Sequence, residues 1–260
     1  MNGLVLVDKP AGPSSFAVVA RLRAAYGTKA GHAGTLDPLA TGLLLVLLGR
    51  ATRLARYLVG LDKRYVTEIR LGLRTSTGDG EGEVVEETAI PSRREIEALV
   101  GEVELRVPAA SAVKIGGERA YRLQRRGVAV EMPVRRSTIH DLRVVRYAPP
   151  LAEVALHVSS GTYVRSVADA LGGHCRSLRR TAVGPFSVED AHEERVLPPL
   201  AALVGLPERR LTDDETRLAR SGRPIAGAGE GPVALWTGDG HLVAVGQARG
   251  GTIQPETVLA

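Results

Sequence analysis

One carboxylate stands apart in the run Gly31-His32-Ala33-Gly34-Thr35-Leu36-Asp37-Pro38-Leu39-Ala40-Thr41-Gly42, which is otherwise made of glycine, small and apolar residues with a single imidazole. An aspartate is ionised at neutral pH, with an ordinary pKa of ~3.9, so Asp37 could serve as a nucleophile or stabilise a developing positive charge. Glycine lets a backbone take unusual dihedrals or approach a ligand closely. Pro38 biases Asp37 toward extended dihedrals and stiffens the chain just after it, so the carboxylate is expected to stand out from a rigid turn. The plain alternative is a Gly-rich turn whose Asp caps the next element. Other chemistries lack their patterns. The six histidines are scattered with no paired ligand spacing. Asp79-Gly80-Glu81-Gly82-Glu83 falls short of a twelve-residue calcium loop, and the glycine run lacks the Lys-Ser/Thr ending of a phosphate-binding loop. No metal is expected.

Three further segments flank the run in order. Gly3-Leu4-Val5-Leu6-Val7-Asp8-Lys9-Pro10 precedes it; Asp62-Lys63-Arg64-Tyr65-Val66 and Gly161-Thr162-Tyr163-Val164-Arg165-Ser166 follow at long spacing. The set resembles the bacterial TruB family, the tRNA pseudouridine synthases that isomerise the T-loop uridine at tRNA position 55. The resemblance runs from about residue 2 to about residue 190, with a weaker match at the C-terminus. It implies an α+β pseudouridine synthase fold, with a mixed, mostly antiparallel central sheet flanked by helices. A small C-terminal PUA-like β-barrel is expected to follow. In that reaction the N1 to C1′ bond breaks and C5 joins C1′, with no atoms or electrons gained, so no cofactor is needed.

The resemblance assigns roles residue by residue. Asp37 is the nucleophile or base, with attack on C1′, attack on the ring and abstraction of a sugar proton all open. Arg165 would pair with Asp37 and keep it ionised. Tyr65 would stack on the base and place its hydroxyl near the proton leaving C5. His32 would brace the vacancy left by the flipped-out uridine. Asp79, Tyr163 and Arg179 are expected near the substrate, with Lys9, Pro10 and Leu178 supporting the pocket. Outside this context each has an ordinary reading: a core tyrosine, a structural histidine, a surface ion pair. The implied partner is the T-arm stem-loop of tRNA, bound by a monomer with no membrane and no protein partner. One departure is the stretch Pro108-Ala109-Ala110-Ser111-Ala112-Val113-Lys114, which lacks the tyrosine expected before the serine.

Positioning such residues demands a set of elements, and periodicity supplies them. Strands are expected at 3–7, 43–48, 63–73, 102–107, 134–147, 152–158 and 179–188. Helices are expected at 15–26, with Val18, Leu22, Ala25 and Tyr26 inward, at 52–59, 92–100, 118–126 and 162–171. Residues 75–82 read as a flexible loop by composition. Pro198-Pro199 and Pro207 bracket a linker, dividing a catalytic domain, 1–204, from a C-terminal domain, 205–260, whose short Val- and Gly-rich strands suggest a barrel.

Composition is consistent with these expectations. The chain has 260 residues, of which 44% are hydrophobic, enough for a sizeable core. Cys175 is its one cysteine, so no intrachain disulfide forms. No apolar run approaches a membrane span and no secretory leader is evident, which points to the cytoplasm. The formal charge is +5. Residues 119–146 alone hold Arg119, Arg122, Arg125, Arg126, Arg135, Arg136, Arg143 and Arg146 against Glu131 and Asp141, a local +6 suited to phosphate contact. Residues 202–260 are near neutral, with six arginines and seven acidic residues.

Overall fold

The computed structural model describes residues 1–111, 113–126, 128 and 130–259, and within them every side chain but that of residue 125. Position 112 of the Pro108 to Lys114 stretch and the Arg125 side chain of the basic run lie outside what is described. The chain divides into two compact units, Met1–Pro38 with Leu43–Gly60 and Gly184–Ala260, and Leu39–Gly42 with Leu61–Val183.

The first unit begins with β1 (Gly3–Lys9), α1 (Ser15–Tyr26), β2 (Ala30–His32) and β3 (Thr41–Leu48), whose first two residues belong to the second unit. A 3₁₀ helix at Gly49–Leu54 and the short α2 (Ala55–Val59) follow where one helix was expected. The Ser14 hydroxyl caps α1 by accepting from the Ala17 N–H, and Gly27, at φ 57°, ends it in the left-handed conformation that glycine adopts without strain. Ser15, Val18, Val19 and Leu22 form its buried stripe. Ala25, expected inward, is exposed because it lies at the stripe's edge, while Val19 takes its place at the centre. β3 is buried from Gly42 to Leu48 and pairs antiparallel with β2, His32 opposite Val46.

The second unit comprises β4 (Lys63–Leu71), β5 (Leu73–Thr75), β6 (Val84–Glu87), α3 (Arg93–Glu97), β7 (Gly101–Arg106), β8 (Lys114–Ile115), β9 (Glu118–Arg119), α4 (Ala120–Arg125), β10 (Val134–Ala148), β11 (Leu151–Val158), α5 (Val164–Ala170) and β12 (Gly173–Val183). Its main sheet runs β12-β4-β11-β10-β7, all antiparallel, and β12 also pairs in parallel with Thr41 and Gly42. Alternation along β4 is strict: Lys63, Tyr65, Thr67, Ile69 and Leu71 are the buried set. β12 starts six residues before its expected position because bulges at Cys175/Ser177 and Arg180/Ala182 break the period-two pattern. α3 ends at Glu97 rather than 100, though its Ser92–Glu95 capping box forms as that sequence allows. The 75–82 segment is not loose. Cys175 donates to Gly78 O (3.0 Å) and accepts from Gly80 N–H (3.1 Å), and the Thr75 hydroxyl donates to Asp79 O (2.7 Å). Composition reports backbone freedom and says nothing of these partners.

The first unit resumes with β13 (Phe186–Ser187) and β14 (Val196–Leu197), which pairs with β1. Then come β15 (Glu208–Arg210), α6 (Asp213–Arg220), β16 (Ile225–Ala226), β17 (Gly231–Trp236), β18 (Leu242–Arg249) and β19 (Thr252–Val258). These last strands form a five-stranded mixed sheet in the order β15-β17-β18-β19-β16. Leu211, Ala219, Ile225, Leu235, Val243 and Ile253 belong to its own apolar cluster. Among the described residues no helix is long and apolar enough to cross a membrane.

Candidate active site

Asp37 sits in a loop whose two neighbouring residues are both clamped from the β1–α1 connection. On one side, the buried Ser15 hydroxyl donates to Leu36 O (2.8 Å) and accepts from Leu36 N–H (2.8 Å). On the other, Pro38 O accepts from Gly12 N–H (2.9 Å) and from the Lys9 ammonium (3.2 Å), which also donates to Pro10 O and Pro13 O. Lys9 is fully buried. Burial pushes its pKa below the ordinary lysine value, and the nearby Asp37 charge opposes that shift. The result is a half-buried carboxylate on a backbone fixed one residue to either side. Such fixing is what a reacting group needs, since misplacement by about 1 Å can cost roughly 10²-fold in rate. His32 is half-buried at the end of β2 in the same unit, and Pro10 is exposed.

In the second unit Tyr65 lies on the inward face of β4, opposite Leu156 of β11 and Arg180 of β12. Leu178 and Arg180 are buried on β12, and Arg179 between them is half-buried, its guanidinium 3.5 Å from the Thr41 hydroxyl. Lys63, two residues before Tyr65, is buried and donates to Leu61 O (2.5 Å) and Ser160 Oγ (3.1 Å). Burial, reinforced by the Arg180 charge, pulls its pKa down to about 8.

Arg165, 3% exposed on α5, forks between two segments: Nη1 donates to Thr77 O (2.7 Å) and Nη2 to Ala110 O (2.8 Å). Nη1 also stands 3.5 Å from Asp79 Oδ2, so within this unit Arg165 is paired with Asp79, itself buried and held by the Thr77 hydroxyl (2.5 Å) and Glu81 N–H (3.2 Å). Tyr163, expected near the substrate, precedes α5 and packs against the apolar cluster of Val107, Ala120 and Met132.

The basic run is not one belt. β10 has 15 residues, and at ~3.3 Å per residue Arg135 and Arg146 stand roughly 35 Å apart. Neighbouring elements also bring acids that a count along the chain cannot see. Arg126 pairs with Glu118 (2.8 Å), Arg136 with Glu104 (3.5 Å), and Arg146 with Glu68 (3.0 Å), which Arg176 shares (3.1 Å). Pairs this exposed contribute only about 0–1 kcal/mol each.

Ser15 and Lys63 were not singled out from sequence. A signal existed for each: Ser15 stands on the apolar stripe of α1, and Lys63 shares the inward face of an alternating strand, positions where a polar group must find a partner.

Residues 22–164 match the TruB family pseudouridylate synthase (N terminal domain). The tRNA pseudouridine synthase B of Thermobifida fusca (strain YX) is 43% identical over 100% of this chain and 99% of its own. That of Arthrobacter sp. (strain FB24) is 41% identical over 100% and 97%. Among solved structures, a chain of the Cbf5-Nop10-Gar1 complex aligns with a TM-score of 0.73 at 27% identity, covering 99% of this chain and 85% of that one. A chain of the H/ACA RNP bound to a substrate RNA containing 2'-deoxyuridine shares the fold, with a TM-score of 0.72 at 24% identity over 99% and 85%. The fold is that of a pseudouridine synthase. This chain belongs to the TruB family.

Proposed function

We propose that the chain converts the T-loop uridine of tRNA, position 55, to pseudouridine, acting in the cytoplasm as a monomer on the T-arm stem-loop, with no protein partner and no cofactor. The observation that carries this reading is the clamp on both neighbours of Asp37, which presents a carboxylate on a fixed backbone. Full-length similarity to bacterial tRNA pseudouridine synthases B supports the substrate.

In this scheme the N1 to C1′ bond breaks with Asp37 acting at C1′, at the ring or on a sugar proton. The uracil turns, C5 bonds to C1′, C5 loses its proton and N1 gains one. Tyr65 stacks on the base and takes part in moving the C5 proton. Arg165 serves to keep Asp37 ionised; its Thr77, Ala110 and Asp79 contacts fix the position of its guanidinium. His32 braces the flipped-out nucleotide's vacancy, Lys9 and Pro10 shape the loop behind Asp37, and Leu178, Arg179 and Asp79 line the substrate side. Residues 1–204 form the catalytic domain, and 205–260 a PUA-like domain. Its separate apolar cluster supports that division, and its near-neutral charge suits contact with a limited tRNA feature rather than a long phosphate track.

The test is to incubate the purified chain with unmodified tRNA transcript alone and map pseudouridine by site. Asp37→Asn should abolish the product while binding stays within a few-fold, and Tyr65→Phe should keep binding and lose most turnover. Product from Asp37→Asn beyond what deamidation supplies would remove Asp37 from the chemistry.

A further inference from the structure

Asp62, His140 and His157 are far apart in sequence, and their spacing matches no ligand motif. Topology brings them together. Asp62 directly precedes β4, His157 lies on β11 and His140 on β10, and these three strands are neighbours in the order β4-β11-β10. The β10–β11 register slips between Ile139 and Asp141, so His140 is the extra residue of a β-bulge. Ile139 and Leu142 are both buried, which leaves His140 and Asp141 side by side on the outward face, where His157 also stands. A bulge is a device that re-aims a side chain.

The donor atoms converge. His140 Nε2 is 3.2 Å and His157 Nε2 3.8 Å from the same oxygen, Asp62 Oδ2, and all three ligand atoms lie within 4.8 Å of one another. The two imidazole rings are tilted at 47° with centroids 4.8 Å apart, so neither covers the other's nitrogen by flat stacking. A tetrahedral zinc ion with bonds of ~2.0–2.1 Å holds its ligand atoms about 3.3–3.4 Å from each other. The two His–Asp separations, 3.2 and 3.8 Å, bracket that value, and the third lies within 4.8 Å, so closing onto an ion also draws the two imidazoles toward each other.

We infer that Asp62, His140 and His157 form a binding site for one divalent transition-metal ion of the zinc class. Two nitrogens and one oxygen suit zinc, copper, nickel or cobalt, and not calcium or magnesium, which call for oxygen ligands. The three side chains are partly exposed, which leaves the remaining coordination positions to water. Around His157 the fixed charges are mixed, with Arg64 opposing a cation and Asp141 favouring one. Bound there, the ion would tie three adjacent strands at the end from which Tyr65 is carried. The proposed isomerisation does not use it.

The experiment uses the full, untagged chain stripped with chelator and then titrated with zinc chloride alone by calorimetry. The expected result is one equivalent bound, with a Kd on the order of 1–10 µM, and a melting temperature raised by roughly 5 °C at a hundredfold excess over Kd. His140→Ala and His157→Ala should each weaken binding at least tenfold, and the double variant should lose it while keeping the apo melting temperature. Should either alanine variant fail to fold, His140→Gln and His157→Gln carry the same expectation. Cobalt should give visible absorption in the native chain and none in the double variant. Absence of saturable zinc binding below 100 µM, or equal binding by the double variant, would overturn the assignment.

Discussion

Replacing Ser15 by alanine should damage both stability and catalysis, although Ser15 touches no substrate. Its hydroxyl donates to Leu36 O and accepts from Leu36 N–H, both at 2.8 Å, in a position that is 2% exposed. Ser15→Ala leaves one buried carbonyl and one buried amide without partners, at about 1–3 kcal/mol each. Alanine recovers less than about 0.5 kcal/mol through helix propensity, so a net loss of about 1.5–6 kcal/mol is expected. Freed from its clamp, the Leu36 peptide can turn toward another donor, and Asp37 turns with it; a displacement near 1 Å would lower kcat by roughly 10²-fold. Ser14→Ala is the matched control. That hydroxyl caps α1 at Ala17 N–H from an exposed position, so its loss should cost about 1 kcal/mol with kcat unchanged. Denaturant melts give the stability terms, and tritium release from C5-labelled tRNA gives kcat and KM. A Ser15→Ala protein with kcat within twofold of the native value would refute the claim that the clamp positions Asp37.

Gly42 has φ 99°, and a Cβ there would lie 2.2 Å from Arg180 O, a backbone atom that cannot step aside. Gly42→Ala should therefore open the parallel pairing to β12 and cost about 3 kcal/mol or more in thermal melts; a loss under about 1 kcal/mol would show that the strands adjust. Arg165→Lys cannot span Thr77 O and Ala110 O together, so it should lose about 2–4 kcal/mol of stability and most of kcat despite the retained charge, which paired melting and turnover measurements check. Lys63 has its pKa lowered to about 8 in the folded chain. Between there and the unfolded value of ~10.4 the unfolded state binds more protons, so stability should rise with pH across that window. Lys63→Met should remove that slope, and parallel stability curves for the two proteins between pH 8 and 10 would contradict it.

Much of this was legible in the residues. α1 runs over the expected 15–26 because its cap, stripe and terminal glycine all agree, and β4 is plain from a strict alternation. The alternation over 179–188 places β12 six residues too far along the chain, because its bulges hide the period. α6 escaped notice although Thr212-Asp213-Asp214-Glu215 is a capping box, because the helix spans eight residues and buries only Thr216 and Ala219. For the site, the TruB-like segments nominate single residues but say nothing of their supports. The Arg165–Asp79 pair joins positions 86 apart, and the Glu104 and Glu68 partners of the basic run come from other strands. Local pattern reads propensity and burial; it does not read which carbonyl a buried cation will find.

The first unit is threaded discontinuously, and this sets an order of events during synthesis. Arg50 and Arg53 donate to Leu259 O and Val258 O, and Arg56 to the Thr257 hydroxyl, across about 200 residues of chain. The second unit has all of its residues once Val183 has been made, whereas these three arginines wait for the last strand. At ~5–20 residues per second the interval is roughly 4–15 s. Throughout it the nascent chain carries a finished second-unit sheet and a first unit in which β1 still lacks its edge strand β14 and the three arginines still lack their acceptors, a window in which a chaperone's grip would matter more than at any later time.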